Sequence, residues 1–321
     1  MMDDTNWRAI PHTASQKTGD MNMNAKTYNS VDEFINDIQN DNADTRYAAW
    51  SQAKQMNEEA IPKLVELMGS DHPGIAQAAT NALQALTHSS AEWGREELRL
   101  KVVGEWMKRI GESNPSNVRV LAFRLLAKVG DERVVSEIST YLYSPYIREE
   151  ALFCLQNISI STAATALIAA LRNSPDDFKP RLIAALGYRR DDEAVDTLYD
   201  YLSSSDTELA MAAMHAIARI GKLCKKTIPW PNYARLSSHD QNRFLNCLIE
   251  YAENLLQKGH PEEAARSYLQ VLDKTNEEHF CCAAILGLSK INNPIAVQAM
   301  KTMASHPSYK VRDVIKKVLN E

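Results

Sequence analysis

The feature that most constrains this chain is a repeat of about 30 residues. The segment NVRVLAFRLLAKVG (Asn117–Gly130) aligns with YIREEALFCLQNIS (Tyr146–Ser159), then with DFKPRLIAALGYRR (Asp177–Arg190) and ELAMAAMHAIARIG (Glu208–Gly221). Their starts are 29, 31 and 31 residues apart. Upstream, DTRYAAWSQAKQMN from Asp44 and GIAQAATNALQALT from Gly74 join the frame, 30 apart. Downstream, HFCCAAILGLSKIN from His279 and KVRDVIKKVLNE from Lys310 join it, 31 apart. A fixed period of this length means one small unit stacked many times, no unit burying its apolar face alone.

Within the unit, positions 2, 6, 9, 10 and 13 are mostly apolar or small. From Asn117 these are Val118, Ala122, Leu125, Leu126 and Val129. At about 100° per residue they form one face of a helix. A second amphipathic stretch precedes each segment, such as RVVSEISTYLYS (Arg133–Ser144) or EAVDTLYDYLSS (Glu193–Ser204). The joints Asn114-Pro115, Ser144-Pro145, Ser174-Pro175 and His306-Pro307 read as helix starts. Ser30 followed by Glu33 reads as a capping box opening the first ordered helix. Gly130 and Gly221 sit where left-handed caps are often needed. The unit is therefore a helix–turn–helix, and the scarcity of glycine and proline (11 and 12 in 321 residues) agrees with an all-α fold.

These residues resemble HEAT repeats, specifically the short phycobilisome-lyase type. NVRVLAFRLLAKVGDERVVSEI, IREEALFCL, LIAALGYRRDDEAVDTL and AMAAMHAIARIG carry the resemblance, which spans most of 30–221 and resumes at 276–321. It implies an α-solenoid, a right-handed superhelix of about nine HEAT-like helix pairs. Position 3 of the unit is basic in Arg46, Arg119, Arg148, Lys179 and Arg312, and is replaced by Ala76, Ala210 and Cys281 elsewhere. In HEAT repeats such residues commonly pair with acidic turn residues of neighbouring units, and Asp131, Asp191 and Asp192 are the candidate partners.

One interruption stands out. From Glu208 to His279 is 71 residues, two periods plus about nine. Residues 241–275 read as a variant, tetratricopeptide-like helix pair joined at Gly259-His260-Pro261, and 222–240 as a loop inserted into one continuous solenoid over 29–321. A smaller expansion lies at 88–99. Residues 1–28 are polar and aperiodic, and read as a disordered arm, with Met21 or Met23 as alternative starts.

Chemistry is sparse. Deoxyhypusine hydroxylase, an enzyme with the HEAT architecture, holds two irons with His-Glu pairs, but none of the eight histidines here is followed by Glu. Nucleophile-elbow, P-loop, dinucleotide and zinc-helix patterns are missing from the sequence, so no cofactor or metal is expected. The five cysteines (Cys154, Cys224, Cys247, Cys281, Cys282) are odd in number and form no C-x-x-C, as in reduced cytoplasmic thiols. No run is long and apolar enough to span a membrane. A net charge of −5 gives no general basic field, so neither the HEAT-like DNA glycosylases nor another nucleic-acid role is indicated.

The resemblance implies that the second helix of each pair lines the concave side. The stripe opposite the core falls at positions 4, 8 and 11. In the central units it comprises Val120, Arg124, Ala127; Glu149, Phe153, Gln156; Pro180, Ala184, Gly187; and Met211, His215, Ala218. So apolar a stripe is either a groove for a partner or a surface covered by tight curvature. In the loop, Trp230 and Tyr233 near Lys225, Lys226 and Arg235 either contact a partner or plug the joint. The expected role is a non-catalytic scaffold binding a protein or peptide through Val120, Arg124, Phe153, Met211, His215, Trp230 and Tyr233. The alternative is an enzyme or enzyme subunit of the phycobilin-lyase, chromophore-processing type.

Overall fold

The computed structural model describes residues 26–223, 228–291 and 293–319. Among them all regular structure is helical: 17 α-helices and a few 3-10 turns. The first five pairs are α1 (Val31–Ile38) with α2 (Ala43–Ser51), α3 (Ala60–Leu67) with α4 (Pro73–Ser90), α5 (Glu96–Met107) with α6 (Ser116–Val129), α7 (Glu132–Tyr141) with α8 (Arg148–Asn157), and α9 (Thr162–Asn173) with α10 (Lys179–Arg189). The sixth joins a short α11 (Val195–Tyr199) to α12 (Thr207–Ile220). Then come α13 (Ser238–Gln257), α14 (Pro261–Lys274), α15 (Glu278–Ser289), α16 (Pro294–Thr302) and α17 (Tyr309–Leu319). Among the described residues no helix is long and apolar enough to cross a membrane.

The second helices α2 to α12 pack each on the next, and the layer continues through α13, α15 and α17. This refines the expected pairing. The α13–α14 hairpin exists, turning at Gly259 (φ 83°). Yet α13 belongs to the second-helix layer, while α14 packs on α15 and on α16 in the first layer. The stretch 228–237, which holds only one 3-10 turn at Tyr233–Arg235, thus stands where the first α-helix of a seventh pair would. Of the expected loop, residues 224–227, with Cys224, Lys225 and Lys226, lie outside the described residues. The smaller expansion is a longer α4, which runs to Ser90.

Local chemistry explains several helix starts. Ser30 Oγ accepts from the Glu33 amide at 3.1 Å, and the Glu33 carboxylate accepts from the Asn29 amide, close to the expected box. Asn42, Asp131, Asp206, Ser237 and Asn293 cap their helices in the same way. The Ser-Pro joints do not: α8 and α10 begin four or five residues after Ser144 and Ser174, at Arg148 and Lys179. Gly221 ends α12 in the left-handed region (φ 63°) as expected. Gly130 is extended instead, and is small because a Cβ there would stand 2.5 Å from the Leu126 carbonyl oxygen.

The core is one continuous apolar band between the layers, with Phe34, Phe123, Phe178 and Phe244 fully buried. Each such ring contributes on the order of 2–3 kcal/mol by leaving water. Trp106 is also fully buried, and its indole N–H donates to Thr87 Oγ1 at 2.9 Å, so no polar atom is stranded. Lys26 to Tyr28, expected in the N-terminal arm, pack on α1. The Tyr28 ring stands edge-on to Phe34 at 5.2 Å and Lys26 pairs with Asp37 at 2.7 Å. Residues 1–25 of that arm lie outside the described residues.

Four of the five basic residues at position 3 hold structural contacts, with partners other than those expected, while the Arg119 Nε is buried with no hydrogen-bond partner among the described residues. Arg148 pairs with Asp177 of the next unit at 2.9 Å and stacks over Phe178. Arg46 and Arg312 bind backbone carbonyls of their own turns, and Lys179 pairs with Asp176. Asp131 pairs with Arg133, Asp191 with Arg189, and Asp192 with Lys258.

Candidate protein-binding face

The stripe at positions 4, 8 and 11 divides in two. In the central units most residues at positions 4 and 11 face the neighbouring second helix, although Glu149 at position 4 is exposed. Met211 is 1% exposed, and Ala127, Gly187 and Ala218 are buried. Met211 is therefore a seam residue, contrary to the expectation of a surface contact. Small residues let these helices approach closely enough to cover it, with Gly187 against Ala216 and Gly221 against Asn254. Asn254 seals the α12–α13 seam by donating from Nδ2 to the Ala218 carbonyl at 2.9 Å. Val120 is half-buried in the same way.

Position 8 stays in water. Arg124, Phe153, Ala184 and His215 are exposed on successive second helices, Phe153 at 42%. One turn further along each helix the same face carries Lys128, Asn157, Tyr188 and Arg219. Tyr188, 50% exposed, was missed by the sequence stripe, although it lies four residues from Ala184 and hence on the same face. Contacts between helices organise this surface. Arg181 pairs with Glu149 at 2.9 Å, joining α10 to α8. His215 Nε2 lies 3.3 Å from a Glu250 oxygen, joining α12 to α13. Arg219 reaches both Glu250 (4.0 Å) and the Tyr188 ring (5.7 Å to its centroid).

The face ends at a cleft of about 560 Å³ where the C-terminal ends of α6, α8 and α10 meet, lined in part by Lys128, Gln156, Asn157 and Tyr188. Its floor is fixed by Arg189, whose side chain is 7% exposed. The guanidinium donates to the carbonyls of Leu155, Ile158 and Ile160 and to Asp191, which uses four of its five N–H donors.

Trp230 and Tyr233 are both half-buried and hold the loop down. Trp230 stands edge-on to Tyr251 at 5.6 Å, and Tyr233 edge-on to Phe244 at 5.4 Å. Burial pushes the Tyr233 phenol above its ordinary pKa, with Glu277 adding to the effect. Gln241 donates to the carbonyls of Tyr233 and Leu236 and closes the loop onto α13. Trp93, at the turn after α4, is the most exposed large apolar side chain among the described residues, at 98%, and the sequence pattern gave no sign of it.

Residues 164–230 match the family of HEAT repeats. The chain therefore contains HEAT repeats over this stretch. The match is to HEAT repeats as such and does not single out the phycobilisome-lyase type. No curated protein matches the chain. Among solved structures, the chain is similar to a Kap121p mutant at 10% identity and a TM-score of 0.48, over 92% of its own length and 37% of that chain. It is also similar to human deoxyhypusine hydroxylase in complex with glycerol, at 14% identity and a TM-score of 0.29, over 90% and 94% of the two chains. An engineered protein is matched at 16% identity and a TM-score of 0.18, over 91% and 96%. The chain thus spans well under half of Kap121p's length.

Proposed function

We propose that this HEAT solenoid is a non-catalytic scaffold that docks a partner protein or peptide on the exposed face of α6 to α12. The observation that carries it is the pair Phe153 and Tyr188. Neighbouring apolar positions on these helices are sealed into seams, while these two rings remain open to water on adjacent helices. Exposed rings on rigid helices lose little entropy when covered and often dominate interfaces. Among the described residues no three His, Cys, Asp or Glu side chains gather as a metal-ligand set. The half-buried packing of Trp230 and Tyr233 favours a structural role for the 228–237 stretch.

A photo-crosslinking residue placed at position 153, with a second chain carrying it at the exposed Glu137 of the first layer, tests this. The reading expects discrete protein adducts from 153, lost on Tyr188→Ala, and none of them from 137. Identical adducts from both positions would remove it.

A further inference from the structure

The charges on this face point to the chemistry of what it binds, an inference that rests on the binding reading above. Most of its ionic groups are already matched. Arg181 is held by Glu149, Arg219 and His215 by Glu250, and Asp191 at the far edge of the cleft by Arg189. Two cations are not. Arg124 and Lys128 lie one turn apart on α6, both exposed, and neither has an ion-pair partner among the described residues. Lys128 opens onto the same cleft as Tyr188 and Asn157, and Asn157 is one turn from Phe153.

We propose that this face takes a peptide segment in which carboxylates adjoin an aromatic or aliphatic side chain. The carboxylates pair with Arg124 and Lys128, and the apolar side chain covers Phe153 and Tyr188. Charge complementarity selects this occupant: the unmatched cations lie together on α6 and border the open rings, while the acid Glu253, unpaired among the described residues, lies on α13 at the other end of the surface. A nucleic acid fits less well, because its continuous phosphates would also run past Glu149, Glu250 and Glu253. A peptide can restrict its negative charge to the α6 end.

The test uses the full chain and three fluorescent probes read by anisotropy. One is a synthetic peptide in which a run of glutamates adjoins a leucine–phenylalanine pair. The second replaces every glutamate by glutamine, and the third is a single-stranded oligouridine. The acidic peptide is expected to bind about tenfold tighter than its glutamine counterpart, from two exposed charge pairs acting together. That preference should shrink as salt is raised and vanish in Arg124→Glu/Lys128→Glu, whose folding is checked by circular dichroism. Phe153→Ala should weaken both peptides. Equal binding of the two peptides, or a preference that survives the double substitution, overturns the acidic assignment and leaves the binding face standing. Tighter binding of oligouridine overturns it in favour of nucleic acid. Failure of both peptides to bind, or binding unchanged by Phe153→Ala, removes the face itself and the assignment with it.

Discussion

Gly187 of α10 and Ala216 of α12 pack backbone to backbone: a Cβ at Gly187 would stand 2.7 Å from the Cα of Ala216. The seam on which the central repeats stack depends on that missing methyl. Gly187→Ala is expected to lower stability by about 1–3 kcal/mol through overpacking. Gly104, inside α5, would meet nothing within 4 Å on gaining a Cβ. There the same substitution should stabilise by about 1 kcal/mol through helix propensity. Thermal unfolding of the two variants beside wild type checks the contrast; a fall at both sites would refute the steric account.

Arg189 closes the end of α8 with four hydrogen bonds from a nearly buried guanidinium. Arg189→Met strands three carbonyls and the Asp191 carboxylate, at a cost of about 3–5 kcal/mol. Arg189→Lys should recover little, because an ammonium cannot reproduce the planar fork. Urea midpoints of the three proteins decide this, and full rescue by lysine would contradict it.

Thiol reactivity should follow burial. Desolvation holds Cys154 far above the ordinary thiol range and pushes Cys247 up to about 12. Cys282 is half-exposed, with burial raising it as well. Among these three, iodoacetamide at neutral pH should label Cys282 first, and the other two only under denaturant. Time-resolved peptide mass spectrometry reads the order directly.

Acid should loosen the C-terminal end. The Glu278 carboxylate accepts from Lys310 at 2.9 Å and Ser308 at 2.7 Å, bridging α15 to the start of α17. The Lys310 hydrogen bond, then that of Ser308, holds its pKa below 4.5. A depressed folded pKa means this contribution is full above the unfolded value and is lost as pH falls through the lower folded one. Hydrogen exchange of α17 should therefore be unchanged between pH 7 and about 5 after correction for intrinsic rate, and lose protection below about pH 4. Glu278→Gln should flatten that acid limb.

The repeat frame was legible because core positions such as Val118, Leu125 and Leu126 recur at helical spacing, whatever their partners. What escaped was set by distances between helices. Met211 and Ala218 look like surface in a single-helix projection, and become seam only because Gly187 and Gly221 let adjacent helices close in. Tyr188 escaped for the converse reason: position 12 borders the core stripe in projection but faces water once the helices stack. Four of the five basic position-3 residues, all but Arg119, were rightly read as structural. Their partners were not, because Arg46 and Arg312 use backbone carbonyls, which leave no trace in side-chain identity. The 228–237 stretch was seen as an irregularity, but its place in the first-helix layer depends on α13 and α14 lying in different layers.

That place has a mechanical consequence. A stack of helix pairs resists flexing through two parallel rows of rods. Between α11 and α14 one row is replaced by a short loop pinned at Trp230 and Tyr233, while the other runs unbroken through α12 and α13. Compliance in such a spring concentrates where one row is interrupted. At this joint the row that remains, α12 on α13, carries the angle between the solenoid's two ends, and the close approach of Gly221 to Asn254 is what holds it.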